Sequence, residues 1–209
     1  MELSRRKFSQ MLGSISFLCF ADLGALFIGG CSTVWQDIIA YAPVGISAVT
    51  NLLNLLGTFG IIPVGSGTAA AALISSITTL FNDVVADVKL YQSEPANATL
   101  AQKIQDELQA IGTQVSSFLA GLTFLGTSTE AKIIQALLSL FLSTLAGFIS
   151  AVAAKAGAAA QQAIARSRRT VMIGGQTLLI EPKYRKRAEF VKEWNAEVDA
   201  AGHSEIELK

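Results

Sequence analysis

Between residues 34 and 165 the apolar positions of the chain recur at helical spacing four times, and each run is broken by glycine, proline or small polar residues. Trp35, Ile38, Ile39, Val44, Val49, Leu52, Leu53 and Leu56 predict a first helix over about 34–57, with Pro43 tolerable only near a first turn or at a break. Gly57, Gly60, Pro63, Gly65 and Gly67 read as a loop. Leu73, Ile77, Leu80, Phe81, Val84, Val88 and Tyr91 then predict a second helix over 67–92, with Ser75, Ser76, Thr79, Asn82, Asp83 and Asp87 on a wet face. After a turn through Pro95, Leu100, Ile104, Leu108, Ile111, Val115, Phe118 and Leu122 predict a third helix over 98–125. Gly126 resets the chain, and Ser128, Thr129 and Glu130 are N-cap candidates for a fourth helix over 129–165.

The fourth run admits two solvents. No charge falls between Ile133 and Ala154, long enough for the roughly 20 residues a bilayer span needs. Gln135, Ser139, Ser143, Gly147 and Ser150 fall on one stripe near every fourth residue, which suits close packing against a neighbouring helix in water or lipid. Helices two and three have true polar faces and need an apolar partner in water, which helix four can supply. The expected fold is therefore all-α: an up-down four-helix bundle over 31–165, followed by a C-terminal β-hairpin and a short helix.

Residues 166–209 have a different grammar. Two strand-like runs over 170–180 flank Gly174-Gly175, a tight-hairpin signal, and Pro182 opens an expected last helix over 182–200 with the stripe Tyr184, Ala188, Val191, Trp194 and Val198. Arg166 to Lys192 holds eight basic residues against two acidic ones, and Glu193 to Leu208 holds five acidic residues without Lys or Arg. Lys183, Arg185, Lys186 and Arg187 at the start of that helix, with Glu193, Glu197 and Asp199 toward its end, reverse the order the helix dipole favours. Some contact should reward the arrangement. Together with Trp194, these four basic residues are the candidate interaction site, for a protein partner or a second copy. The composition break at Arg166 predicts a tail separable from the bundle.

The first thirty residues form a basic start, an apolar stretch from Met11 to Ile28 broken by Ser14, Ser16 and Asp22, and a Gly29-Gly30 pair before Cys31. That is the layout of a cleaved secretory signal over 1–30. Ser4-Arg5-Arg6-Lys7-Phe8 resembles the twin-arginine export signal, in which a receptor reads Arg5 and Arg6, although Ser9 and Gln10 depart from its Leu-Lys ending. Ile28-Gly29-Gly30-Cys31 resembles a bacterial lipobox, with Ile where Leu is commoner. The resemblance implies that Cys31 becomes a lipidated N-terminus and holds the protein on the inner or outer membrane, facing the periplasm, without a span.

Composition narrows the chemistry. The 209 residues are 51% apolar and 15% charged with no formal net charge, more apolar than the about 25% charged content of ordinary soluble domains implies, and without the basic excess of a nucleic-acid binder. Gly65-Ser66-Gly67-Thr68-Ala69-Ala70 mimics a dinucleotide fingerprint, but Pro63 precedes it and Asp83 and Asp87 fall in a helical run, so the strand-turn-helix context is missing. Asn97-Ala98-Thr99 reads as a turn into a helix cap. His203 is the only histidine, and Asp106-Glu107 sits on an expected wet face. No catalytic, cofactor or metal site is expected. The expected protein is a non-enzymatic, lipid-anchored envelope protein that binds or scaffolds. The alternative is a membrane-embedded or pore-like protein with helices one and four in the bilayer.

Overall fold

Four long helices carry most of the described chain: α1 (Cys31–Thr58), α2 (Gly67–Ser93), α3 (Ala98–Ala120) and α4 (Thr129–Ala156). The computed structural model describes residues 31–62, 67–95, 97–122, 128–156, 169–173 and 176–209. The fold is the expected all-α bundle with an appended hairpin and short helix. Trp35 near the start of α1 meets Tyr91 near the end of α2 at 4.5 Å between ring centroids, and Tyr41 meets Phe81 at 6.2 Å, which sets α1 and α2 antiparallel. Gly45 permits that approach, because a Cβ there would lie 2.6 Å from Phe81 Cζ. Pro43 lies inside α1 without ending it. Its ring faces solvent, where water can take the Ile39 carbonyl that Pro43 cannot bond.

The Asn97 side chain accepts a hydrogen bond from the Leu100 N–H at 3.1 Å, so the turn residue caps α3 as expected. Ile104, Leu108, Ile111, Val115 and Leu119 form its buried stripe. The helix stops at Ala120, short of the expected 125, with Gly121 as its C-cap; residues 123–127 lie outside the described residues. Ser128 Oγ accepts from the Ala131 N–H at 3.3 Å and starts α4. From Leu140 to Phe148 every residue of α4 is buried, the burial of a helix covered on all sides. That accounts for its charge-free run. The expected continuation of α4 to 165 falls outside the described residues.

Strands β1 (Arg169–Ile173) and β2 (Gln176–Ile180) pair antiparallel, Arg169 opposite Ile180 and Ile173 opposite Gln176, as the Gly174-Gly175 signal predicts. β1 packs on α3 and β2 on α4. The last helix, α5 (Arg187–Ala200), begins five residues later than expected, because residues 181–186 run extended across α4. Its buried stripe is Phe190, Trp194 and Val198; Tyr184 and Ala188 are exposed. Beyond it, Gly202 at φ +77° turns the chain into a 3₁₀ turn, Ser204–Ile206. Trp194 Nε1 and Asn51 Nδ2 both donate to the Ile206 carbonyl, at 3.0 and 2.9 Å, tying the C-terminal segment to α5 and α1. The expected separable tail is therefore corrected: residues Trp35–Lys209 form one compact unit, and Ile180, Phe190, Trp194, Val198, Ile206 and Leu208 belong to its core.

Among the described residues, three helices are long and apolar enough to cross a membrane by length and composition. Their apolar stretches lie within Thr33–Thr58, Gly67–Ser93 and Thr129–Lys155, with mean hydropathies of 1.5, 1.5 and 2.1.

Candidate functional site: the C-terminal segment on the central helix

The polar stripe of α4 receives an extended segment of chain rather than a neighbouring helix. The Lys183 N–H donates to the Ser143 carbonyl at 2.9 Å. One turn on, a Cβ at Gly147 would lie 2.5 Å from the Lys183 carbonyl and the Tyr184 nitrogen, so this backbone crossing requires glycine.

Arg185 enters the core at this crossing and is 7% exposed. Its Nη1 donates to Ser143 Oγ at 2.8 Å, Thr144 Oγ1 at 3.2 Å and the Lys183 carbonyl at 3.4 Å, while Nε donates to Glu193 Oε2 at 2.8 Å. Both hydroxyls donate their own protons to the Leu140 carbonyl, which leaves their lone pairs free to accept from Arg185. Lys183 Nζ closes the network on Glu193 at 2.9 Å. Burial pushes the Glu193 carboxyl up, but the hydrogen bonds from Lys183 and Arg185 outweigh it and hold the group below its ordinary value. Tyr41 lies nearby, with its ring 5.0 Å from Phe190 and 5.1 Å from Phe148. Its buried hydroxyl has no hydrogen-bond partner. Burial, only partly offset by Arg185, raises its ionisation well above the ordinary value. The cluster is a structural lock that holds the extended segment on α4.

The chain matches no family model, no curated protein and no solved structure.

Of the residues expected to meet a partner, Arg185 and Trp194 are buried and serve the interior. Lys183 is paired with Glu193, Arg187 Nη2 donates to the Lys209 carbonyl at 2.8 Å, and Lys186 is exposed, its backbone N–H donating to Glu189. The reversed dipole order is only partly relieved, since Arg187 opens α5 and Glu197 and Asp199 lie in its last turn, which holds no basic residue. Lys183 and Arg185 precede α5, and Glu189 sits in its first turn, where an acid is favoured. Cys31 opens α1, while Arg5 and Arg6 lie outside the described residues. Among the described residues no group of three His, Cys, Asp or Glu could hold a metal ion.

A second polar cluster forms where α2 meets α3. Asp87, expected on a wet face, is 8% exposed. Lys103 Nζ lies 2.8 Å from Asp87 Oδ2 and 3.6 Å from Glu107 Oε1. Sequence reasoning missed this cluster and Phe190, although it placed Trp194 and Val198 on the apolar stripe of the last helix. The available signals were the position of Asp87 beside Val88 and one turn before Tyr91, and the spacing of Phe190, Trp194 and Val198 at four.

Proposed function

We propose that the chain is an exported, lipid-anchored protein of the bacterial cell envelope. On this reading Arg5 and Arg6 address it to the twin-arginine route, Cys31 carries the acyl chains, and the bundle faces the periplasm in a non-catalytic binding or scaffolding role. The observation that carries the reading is the fate of the most apolar helix. In α4, 72% of the span-length window is buried inside the protein, which supports a bundle that satisfies this helix's hydrophobicity and an attachment through the N-terminus. A partner or second copy would meet the outer side of the C-terminal segment, where Leu179 is 63% exposed and Lys186 faces solvent, since Arg185 and Trp194 are occupied within.

The three span-length helices favour a second reading, a membrane-embedded or pore-like protein with α1 and α4 in the bilayer. Metabolic labelling with a fatty acid and alkaline extraction of membranes separate the two. Wild type should take up the label and Cys31→Ala should not, and alkali should release the unlabelled variant. A variant that stays in the membrane pellet supports the embedded reading, and a labelled Cys31→Ala chain overturns the lipid anchor. Lysine at both Arg5 and Arg6 should block processing; normal maturation of that variant would point to general secretion.

A further inference from the structure

The α2–α3 contact holds two carboxyl groups with too few donors. Among the described residues Glu107 Oε2 is buried without a hydrogen-bond partner, and Asp87 Oδ2 is buried with only the Lys103 ammonium, at 2.8 Å, beside it. The Glu107 side chain keeps 13% of its exposure, and Lys103, at 58%, is the amine beside the pair. One ammonium facing two carboxylates leaves a negative charge uncompensated, and Asp83, one turn before Asp87 on α2, adds to the repulsion. A single proton on the pair removes one charge and supplies the missing donor.

We propose that Asp87 and Glu107 form a proton-dependent clamp between α2 and α3, closed when the pair holds a proton and loosened when both groups ionise. Burial first, then the neighbouring Asp87, raise Glu107 from 4.5 to about 7, against the opposing pull of Lys103. The charged groups facing the pair are Asp83 from α2 and Lys103 from α3. α4 carries Glu130, Lys132 and Lys155 at its ends and α1 carries Asp37, and none of these bears on Glu107. β1, also packed on α3, contributes Arg169, whose side chain lies outside those described. The clamp sits on the half of α2 that packs through Phe81, Val84, Val88 and Tyr91. In the other half only Leu73 and Ile77 are buried. Opening the clamp therefore loosens the segment that holds α2 to the bundle.

The folded chain binds this proton more tightly than the unfolded chain. The contribution to stability is complete below 4.5, declines as pH rises toward about 7, and is absent above it. Urea unfolding of the full chain in detergent at about pH 5 to about pH 8 tests this. The wild-type midpoint should fall across the window and level off, and Glu107→Gln, which keeps a neutral donor, should flatten the curve. A wild-type midpoint constant over the window, or an unchanged fall in Glu107→Gln, overturns the proposal. Should the variant not fold, difference infrared spectroscopy of the wild type decides. Loss of a protonated-carboxyl band around neutral pH supports the clamp, and a spectrum without that loss defeats it.

Discussion

At residue scale two of the helical glycines, Gly112 and Gly147, make opposite demands on the same substitution. Glycine to alanine inside a helix ordinarily stabilises by about 1 kcal/mol. At Gly112 a new Cβ would meet only Leu142 and Leu145 side-chain carbons at 3.5 and 3.7 Å, so Gly112→Ala should be neutral or stabilising. At Gly147 the atoms met at 2.5 Å are backbone, and the extended segment would have to lift off α4. Gly147→Ala should therefore destabilise, by about 1–3 kcal/mol, the scale of overpacking; urea unfolding of the two variants reads the difference in sign. Arg185 sets the other limit at this crossing. Removing one partner of a buried ion pair costs about 3–5 kcal/mol. Glu193 keeps 38% of its side-chain exposure and can rehydrate, so Arg185→Ala should fall toward the lower end of that range. Arg185→Lys should recover little, because an ammonium cannot serve Ser143, Thr144 and Glu193 at once in the geometry of the guanidinium fork. If lysine restores wild-type stability in the same titration, the directional hydrogen bonds matter less than the charge.

Element scale shows which features the sequence made legible. Helices α1 to α4 and the hairpin follow from periodicity and turn chemistry, because their apolar stripes and caps are local properties of consecutive residues. The cap at Asn97 is one of them: Asn97→Ala removes the acceptor for Leu100 N–H and should destabilise by about 1 kcal/mol, measurable as a lowered thermal midpoint, whereas Asn97→Asp should retain the cap. The start of α5 was not legible for the opposite reason. Pro182 is locally compatible with a first helical turn, and what keeps 181–186 extended is distant in sequence: the Ser143 carbonyl, the Gly147 gap and the two hydroxyls that receive Arg185. The buried position of Asp87 escaped the periodic reading too, since a polar residue at the edge of an apolar stripe reads as wet until a facing helix covers it. Half of the site was visible in the sequence. The small polar stripe on α4 and the basic run each stood out, and only the fold brings them together.

For the whole molecule, the charge asymmetry of the chain marks a change of composition and not a boundary of folding. The residues after 180 are more charged than the bundle, yet they supply Phe190, Trp194, Val198, Ile206 and Leu208 to its core. They also place Arg185 among hydroxyls of the central helix that would otherwise lack a donor from it. Burying a large apolar side chain is worth about 1.5–3 kcal/mol, and several are lost together if the segment is removed. Domains are stable by only about 5–15 kcal/mol, so that loss is comparable to the whole margin. A chain stopped after Ala165 should therefore lose its cooperative unfolding transition, with Tyr41 on α1 and the face of α4 that α5 covers left open to dye binding and aggregation. Circular dichroism through a thermal ramp is the measurement. A truncated chain that keeps a sharp transition near the wild-type midpoint would mean that α1 to α4 close their own core and that the C-terminal segment is an accessory laid upon it. A broad, low-amplitude melt would show instead that the most charged part of the sequence completes the most apolar part of the structure.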